Sequence, residues 1–440
     1  MGNGVYTWLP VSTAVQQLAQ RLNDPTYQFW VYDELLTYIS QSLRQFNSLT
    51  WTWRQDFTYN DPLNIWNSLG SLPSSPRLRT ITDVEVYAEL EYMLLEPSNL
   101  TGTWTGTNQF NLSVISQALQ RRRDEMIQIG NLNQSLMTGI PIVPNTIRTE
   151  LPDNIIDVER VRYIPATGSP NTLYRDDTVA SEWYEAPLYQ LNPGTPQTFS
   201  LSSEPPLSWQ VDIAPNQPGT YEAIVLQSGA PFNPPTPTLV GIPDDLIWVL
   251  EYGALADLLG QESEATDRER SAYALKRYQD GLQLMMKSPW IELGKINGVA
   301  VSLDSIVSMD RYSPEFDSNP TGFGPVIVVG GQDFIGAPVG SGVGVTVLGS
   351  APILDSTNTY IQVSRSDADI MFDLAQARAA FKQGGAEFMA ALEIEKRALL
   401  ACAAENTRLK SLGAFSDVID QRGNQQERDM QRFNNANKRK

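Results

Sequence analysis

The spacing of apolar residues changes twice along the chain, and these changes restrict the fold more than any other feature. In the first 135 residues apolar side chains recur every three or four positions, as at Leu35, Ile39 and Leu43, which is typical of amphipathic helices. From about 140 to 240, short runs such as IIDVERVRYI are separated by proline-rich turns, which is typical of β-strands. Helical spacing returns after Pro243. The pattern predicts an α+β fold, a helical bundle with an inserted antiparallel β domain.

Six parts of the chain follow from this pattern. They are an N-terminal helical part with a Trp-rich strand (1–135), a β insert (136–240), a helical hairpin that completes the bundle (241–295), a Gly-rich β or loop region (296–365), a long Ala-rich helix (366–413) and a polar tail (414–440). The Trp-rich strand WTWRQDFTY alternates large apolar and polar residues. In the Gly-rich region, GSGVGVTVLG is followed by no helical pattern, so it predicts a strand or hairpin and not a phosphate-binding loop.

Capping residues and glycines predict where helices begin and end. Ser12 or Thr13 is expected to cap the first helix, and Thr82 with Glu85 has the spacing of a capping box. Ser366 is expected to cap the long Ala-rich helix, because acidic residues follow it in the first turn. The glycine pair at 384–385 predicts a break or kink within that helix.

Two residue types that many enzymes require are scarce. Histidine is absent, and Cys402 is the only cysteine. Ser-His-Asp and Cys-His nucleophiles, His-coordinated metal sites and CxxC redox pairs are therefore excluded. We predict that the protein is not an enzyme and that it has no catalytic, cofactor-binding or metal-binding residues. Cys402 lies in an alanine-rich helical pattern and is predicted to be a small buried side chain.

Adjacent carboxylates leave one enzymatic alternative open. Asp176 with Asp177, or Asp244 with Asp245, would be the candidates for a carboxylate-dependent glycoside hydrolase. Such an enzyme needs two carboxylates roughly 5 to 9.5 Å apart across a substrate cleft, and adjacency in sequence does not predict that arrangement. Turn chemistry explains the first pair, and the positive end of a helix explains the second.

The charge of the chain is acidic, and the excess lies in one part of it. The net charge is −18, whereas residues 366–440 carry 12 Lys or Arg against 11 Asp or Glu. The acidic residues before 366 disfavour sequence-specific nucleic-acid binding. The longest apolar runs are too short to cross a bilayer, and a single cysteine suits a reducing compartment. We therefore predict a soluble protein that folds in the cytoplasm.

Aromatic and basic residues at the edges of segments are the predicted contacts with other chains. Such side chains are enriched at protein interfaces. The arginine triplet lies on a predicted helix, where three consecutive positions face different directions, so it forms no single stripe for a nucleic-acid groove. The interface candidates are Trp51, Trp53, Arg121, Arg122, Arg123, Phe388, Lys438, Arg439 and Lys440.

Several segments resemble a known family of structural proteins. Residues 30–59, WVYDELLTYISQSLRQFNSLTWTWRQDFTY, are similar to the opening of head-to-tail adaptor proteins of tailed bacteriophages. LPDNIIDVERVRYI at 151–164 and PPLSWQVDIAP at 205–215 resemble later parts of such proteins, as do IPDDLIWVLEYGALADLLG and DRERSAYALKRYQDGLQ. The resemblance covers about 10–290 and consists of the order of the parts. It does not extend to the C-terminal third.

This resemblance implies a structural role in the virion neck. Family members form a ring, commonly of twelve copies, below the portal of the capsid, and double-stranded DNA passes through the opening without sequence-specific contacts. Portal protein, a tail, nozzle or stopper protein and further copies of the chain are the implied partners, with no membrane insertion and no cofactor. Production in the host bacterial cytoplasm is expected. Another tail or baseplate component is the alternative, and a glycoside hydrolase is the less favoured one.

Overall fold

Helices and strands alternate along the chain, as the apolar spacing predicts. The computed structural model describes residues 6–50, 52–59, 80–94, 110–130, 132–176, 193–202, 207–232, 237–261, 266–286, 291–296, 299–301, 327–329, 332–334, 343–348, 350–352, 354, 360–405, 415 and 417. Trp51 and the C-terminal Lys438, Arg439 and Lys440 lie outside these residues. The protein is a mixed α+β chain, in agreement with the prediction.

Eight α-helices lie within the described residues. They are α1 (Val11–Arg21), α2 (Tyr32–Thr50), α3 (Asp83–Leu94), α4 (Leu112–Gly130), α5 (Ile247–Gly260), α6 (Arg268–Met286), α7 (Arg365–Gln383) and α8 (Gly385–Glu405). A 3-10 turn, Asp244–Leu246, precedes α5. All eight helices contribute to one hydrophobic core, which also takes in Phe415 near the C-terminus.

The central helix of this bundle is α2. The predicted apolar face is buried at Leu35, Ile39 and Leu43. The opposite face is buried as well, because polar side chains such as Gln41 and Asn47 have almost no exposure. A helix buried on all sides must satisfy those polar groups inside the protein, and this requirement creates the hydrogen-bond networks described below.

Two predicted helix caps are wrong, and one is confirmed. Because strand β1 (Tyr6–Pro10) runs directly into α1, Pro10 occupies the capping position, and Ser12 lies inside the helix. Helix α7 is capped by Ser364, whose side chain accepts a hydrogen bond from the Asp367 amide at 3.1 Å, and Ser366 falls inside the helix. At α3 the predicted contact of Thr82 with Glu85 is present, since the Thr82 amide and hydroxyl donate to the Glu85 carboxylate at 2.8 and 3.0 Å.

The C-terminal helices belong to the same core as the N-terminal ones. Helix α7 packs against α1, α2 and α3, and α8 packs against α7 and α2. The chain breaks between α7 and α8 at Gly384, where φ is +66°, so the predicted break is confirmed. Strand β15 (Tyr360–Ser364), immediately before α7, pairs antiparallel with β1. The first and the last of the described strands therefore lie side by side.

The remaining strands form an insert and several smaller sheets. The insert contains β3 (Gln134–Ile142), β4 (Arg148–Glu150), β5 (Ile155–Pro165), β6 (Asn171–Arg175), β7 (Thr198–Ser202), β8 (Ser208–Val211) and β9 (Gly219–Gln227). The other strands are β2 (Arg54–Tyr59), β10 (Ile291–Ile296), β11 (Val299–Val301), β12 (Ile327–Val329), β13 (Gln332–Phe334) and β14 (Val343–Leu348). Strand β14 confirms the strand predicted for the glycine-rich run.

The strands of the insert form one sheet in the order β3-β9-β5-β6-β7-β8-β4. Its neighbours pair antiparallel, as predicted, except β6 and β7, which run parallel. Parallel neighbours begin at the same end of a sheet, so β6 and β7 cannot be joined by a tight hairpin.

The sheet of the insert curls on itself. The rings of Trp209 on β8 and Tyr221 on β9 lie 5.6 Å apart, although four strand positions separate β8 from β9 in the sheet. In a flat sheet that separation would be about 19 Å, because neighbouring strands are about 4.8 Å apart. Curling therefore closes the aromatic side chains into a core of their own, separate from the core of the bundle.

The strand predicted for WTWRQDFTY is present in part as β2, which begins after Trp53 and pairs with the glycine-rich region. Strand β2 is antiparallel to β14, which continues through β10 to β11 in a four-stranded sheet. Strands β12 and β13 form a separate antiparallel pair. Residues on both sides of the insert in the sequence are thus joined in one sheet.

Candidate functional site

The arginine triplet of α4 lies where the bundle meets the insert. Arg121 and Arg122 both form ion pairs with Asp257 on α5, and Arg122 also donates to Glu125 at 2.9 Å. Burial would lower the pKa of the Arg122 guanidinium, but the hydrogen bonds and charges of Asp257 and Glu125 outweigh burial and raise it. The Arg122 guanidinium also lies 4.7 Å from the centre of the Tyr278 ring on α6. These contacts fasten α4, α5 and α6 together.

Arg123 holds the chain where it leaves the insert. Its side chain is fully buried and donates to the carbonyl oxygens of Gly229 and Ala230 at 3.0 and 2.7 Å. The guanidinium also stacks 4.4 Å from the centre of the Phe232 ring. A side chain at Gly229 would collide with Arg123, since an added Cβ would lie 2.6 Å from Nη1. The glycine is therefore required for the close approach of the arginine.

Two further contacts join α4 and its C-terminal end to the same segment. The Ser228 hydroxyl donates to the Asp124 carboxylate at 2.7 Å, and the Asn133 side chain donates to the Gln227 carbonyl at 2.8 Å. We call the contacts of Arg123, Asp124 and Asn133 with residues 227–232 the junction. The chain enters and leaves the insert through the junction, so these side chains fix the orientation of the insert against α4.

A second set of contacts joins the segment between the junction and α5 to the start of α3. The Asp83 carboxylate accepts hydrogen bonds from the amide and hydroxyl of Thr238, both at 2.9 Å. Asp244 in turn accepts from the amide and hydroxyl of Thr80, at 2.9 and 2.7 Å. Each segment thus contributes one carboxylate and one threonine to the other, and the pairing is reciprocal.

The adjacent carboxylates Asp244 and Asp245 are occupied by these structural contacts. Both side chains are buried. Asp245 accepts hydrogen bonds from the Asn47 side chain at 2.9 Å and from the Ala351 amide at 3.1 Å. Since both carboxylates accept hydrogen bonds from this chain's own groups, their geometry is that of structural anchors. Asp176 pairs through its backbone with Phe199 at 2.8 Å, and Asp177 lies outside the described residues.

A group of charged side chains is buried in the middle of the bundle. Arg378 on α7 forms ion pairs with Glu251 on α5 and, at 3.7 Å, with Glu89 on α3. Gln41 on α2 donates to both carboxylates, at 2.6 Å to Glu89 and at 3.4 Å to Glu251. We call these four residues the buried charge cluster. Buried charges are stable only when they are paired and hydrogen-bonded, so the cluster ties α2, α3, α5 and α7 to one arrangement.

A second buried ion pair lies one turn further along α7. The Lys382 ammonium donates to both carboxylate oxygens of Glu34 on α2 at 2.9 Å. The same carboxylate accepts a hydrogen bond from Tyr38 at 2.7 Å, and burial with this negative charge raises the pKa of the Tyr38 hydroxyl well above its ordinary value. Arg378 and Lys382 are four residues apart and therefore project from the same face of α7. This face brings positive charge to the carboxylates of the N-terminal helices.

A third group connects α6 to α8 and to the C-terminal residues. Arg277 on α6 pairs with Asp280 at 2.6 Å, with Glu395 on α8 at 3.5 Å and with Asp417 at 3.8 Å. The Phe415 amide donates to Asp280 at 3.1 Å, and the Phe415 ring is buried. Residues 415 and 417 are thus anchored on α6.

The loop between α1 and α2 exposes a cluster of large apolar side chains. Phe29, Val31 and Tyr32 are 46%, 48% and 38% exposed. The loop is held in shape by Asp24, whose carboxylate accepts hydrogen bonds from three amides at 2.8 to 3.0 Å. These bonds lower the pKa of Asp24, with the Trp30 amide contributing most. We call Phe29, Val31 and Tyr32 the exposed loop cluster.

The described interface candidates differ in how accessible they are. Arg121 is the most accessible, with 65% of its side chain exposed, whereas the side chains of Arg122 and Arg123 are largely buried in contacts within the subunit. Trp53 is partly buried, with its ring 6.3 Å from that of Phe46. Phe388 is buried against Phe381 at 5.3 Å. The structure places Arg123 in the junction and pairs Arg121 and Arg122 with Asp257 on α5, whereas Trp53 and Phe388 contact other aromatic residues.

The cysteine, possible metal-binding groups and possible membrane-spanning helices can be stated for the described residues only. Cys402 is buried, as predicted. In that part of the chain no three His, Cys, Asp or Glu side chains form a group that could hold a metal ion. Among the helices described, none combines the length and the apolar character needed to cross a membrane.

Sequence reasoning missed the buried charge cluster. The signal that was available is a charged residue inside an apolar helical pattern: Glu251 interrupts IWVLEYGALADLL, and Arg378 interrupts LAQARAAF. Such a residue is either a functional group or half of a buried pair. Its partner lies on another helix far away in the sequence, so the pairing itself required the structure.

Comparisons with known proteins give no relative from which a function could be transferred. No protein-family model and no curated protein matches the sequence. A proposal for the function therefore rests on the architecture, on the contacts described above and on the resemblance of individual segments to head-to-tail adaptor proteins.

Proposed function

We propose that the protein is a structural component of a tailed-bacteriophage virion, a head-to-tail adaptor that acts as one subunit of a ring below the portal. Its contribution is to offer surfaces, on one side to the portal and on the other to a tail, nozzle or stopper protein. Double-stranded DNA passes through the centre of the ring. The protein works through assembly, without a catalytic step.

The observation that carries this proposal is where the resembling segments lie in the fold. Residues 30–59 contain α2 and β2, and the two helical segments form the α5–α6 hairpin, which packs beside α4 in the bundle. The segments at 151–164 and 205–215 contain β5 and β8 of the insert. The resemblance therefore falls on both the bundle and the insert, in the order helices, insert, helical hairpin.

The junction supports a role in a ring. Each subunit of a ring contacts its neighbour through two different surfaces, and the ring closes only if the angle between those surfaces is fixed. In this protein, Arg123 and its neighbours fix the orientation of the insert against the bundle. An insert held in this way can present one surface while the bundle presents another.

The exposed loop cluster supports a contact with another protein. Large apolar side chains that are exposed together mark interaction surfaces more often than isolated ones. Here the loop is preorganised by the Asp24 carboxylate and by burial of Trp30 between the exposed residues. A surface that is already in its bound shape loses less conformational entropy on binding.

The acidic charge of the chain supports the passage of DNA without specific binding. Phosphate groups are attracted to clusters of Lys and Arg, and strong attraction would slow DNA that has to move. All three arginines of the main basic cluster are paired with carboxylates or backbone oxygens within the subunit. A high-resolution map of the assembled ring with a channel lined by Lys and Arg would contradict this part of the proposal.

The test is to mix the purified protein with the portal protein of the same phage and to examine the product by mass photometry and negative-stain electron microscopy. We expect a ring of about twelve chains attached to the portal. Rings that form only in the presence of the portal agree equally well with the proposal. A protein that remains monomeric and does not bind the portal would refute it, and binding to tail proteins alone would favour a tail or baseplate component.

A further inference from the structure

The buried charge cluster contains more carboxylates than fully buried cations. Glu89 and Glu251 face the guanidinium of Arg378, and the three side chains are 6%, 0% and 2% exposed as residues. Gln41 lies between the carboxylates and donates to both. Two carboxylates and one guanidinium leave one negative charge uncompensated at a site that solvent does not reach.

Charged and titratable groups on α2, α5 and α7 surround Glu89. The titratable or charged groups that act on it are Tyr38 and Arg44 on α2, Glu251 on α5 and Arg378 on α7. Arg44 is only partly buried, and its charge lowers the pKa of Glu89 less than Arg378 does. Tyr38 donates its hydroxyl hydrogen to Glu34, so it does not stabilise a charge on Glu89.

Two carboxylates that share a buried site cannot both be ionised without cost. The repulsion between them, added to the loss of hydration, favours binding of one proton between the two. Burial is the main cause that raises the pKa of Glu89 in this cluster, and the positive charge of Arg378 only partly opposes it. With one proton bound, one carboxylate is left to balance one guanidinium.

We propose that Glu89 and Glu251 share one proton in the folded protein, and that loss of this proton loosens the contact of α7 with the rest of the bundle. The proton leaves to solvent and the carboxylate that held it becomes charged. A second negative charge then remains beside Arg378 without a buried partner. Lys382 and Glu34, one turn along α7, keep their own balanced pair. This proton-dependent contact of α7 does not depend on the proposed role in the virion.

The sign of the pH dependence follows from the raised pKa. A carboxyl group whose pKa is higher in the folded protein contributes stability that is fully present below its ordinary pKa of 4.5. That contribution is lost as the pH rises through the raised pKa. The contact of α7 is therefore expected to weaken toward alkaline pH.

Hydrogen exchange of the full-length protein tests the proposal. The variants are Glu89→Gln, which keeps the size and polarity of the side chain, and Glu393→Gln, a control on α8 whose side chain is 80% exposed. Protection of the α7 amides is compared between variant and wild type at the same pH, from pH 5 to 9, so the intrinsic pH dependence of exchange cancels. The amides of the insert serve as an internal reference.

For Glu89→Gln we expect nearly equal protection at the acidic end. Between the ordinary pKa and the raised pKa of Glu89, the protection of α7 in the variant should come to exceed wild type by up to about 10-fold per pH unit, and the ratio should level off above the raised pKa. Glu393→Gln should match wild type throughout. If Glu89→Gln does not fold, Glu251→Gln is the second variant, since it also leaves one carboxylate with Arg378 and should give the same result. A ratio that stays constant with pH, or lower protection in these variants at alkaline pH, would overturn the proposal.

Discussion

The bundle and the insert are built in different ways, and the difference lies in what they bury. Among the described residues, every charged residue that is buried belongs to the bundle or its connections, and the buried polar residues of the insert are Ser200 and Ser208. The core of the insert consists of aromatic and aliphatic side chains around Trp209 and Tyr221. A core of that kind tolerates small shifts, whereas a buried ion pair is stable in one geometry only.

This contrast indicates how the chain specifies its fold. All strands of the insert come from one stretch of the sequence, between Gln134 and Gln227, and their register is set by the alternation of side chains. The helices of the bundle come from both ends of the chain, and apolar packing alone would allow more than one arrangement. Pairs such as Arg378 with Glu251 and Lys382 with Glu34 select the arrangement in which α7 lies on α2.

The largest expected effect is loss of the cation of the buried charge cluster. Arg378→Ala leaves two buried carboxylates without their guanidinium, and we expect the free energy of unfolding of the bundle to fall by about 5 kcal/mol. Urea denaturation followed by helical circular dichroism measures this change. The control is Arg397→Ala on α8, because that side chain is 69% exposed and its pair with Asp373 should contribute less than about 1 kcal/mol. Equal effects of the two substitutions would contradict the contrast.

The matching test in the insert removes its central aromatic ring. Trp209→Ala deletes a side chain that is fully buried, and we expect a loss of about 4 kcal/mol. Because the insert has its own core, hydrogen exchange should increase in β5, β8 and β9 and remain unchanged in α2 and α7. An equal increase in both regions would show that the two cores unfold as one unit.

Substitution at the junction should affect the connection between the regions. Arg123→Lys retains the charge but cannot donate to both carbonyl groups in the same geometry, and we expect a loss of about 2 kcal/mol. Hydrogen exchange should increase at residues 227–232 in particular. The control is Arg121→Lys, since 65% of the Arg121 side chain is exposed. If the control has the same effect, the burial of Arg123 is not what fixes the insert.

The apolar spacing predicted the regular parts of this fold well. Leu35, Ile39 and Leu43 share a face because of local backbone geometry, and the break at Gly384 follows from the freedom of glycine to adopt positive φ. Capping was less predictable. Two serine residues, Ser364 and Ser366, lie at the start of α7. Which of them caps the helix depends on where β15 ends its pairing with β1.

Contacts between distant segments could not be predicted from the sequence. The arginine triplet was noticed as a cluster, but its partners Asp257 and the carbonyl of Ala230 lie on segments that only the fold brings near. The parallel pairing of β6 with β7 is likewise set by how the sheet curls. Charge balance in the buried charge cluster depends on three helices at once, so no local pattern reports it.

The smallest expected effect concerns the loop between α1 and α2. Because the pKa of Asp24 is lowered by its hydrogen bonds to backbone amides, the stability that it contributes is present above its ordinary pKa of 3.8 and is lost as the pH falls through the lowered value. Asp24→Asn should therefore reduce the melting temperature slightly at pH 6, and the difference from wild type should shrink and then disappear as the pH falls through the lowered pKa. A difference that persists at the acidic end would indicate that the charge of Asp24 is not what orders the loop.

The location of the protein in the virion tests the central claim most directly. If the proposed function is right, gold-labelled antibody against this chain, applied to purified virions of the phage proposed to encode it, should label one position between the head and the tail when viewed by electron microscopy. Labelling along the tail or at the baseplate, or virions that contain none of the protein, would contradict its assignment as a head-to-tail adaptor.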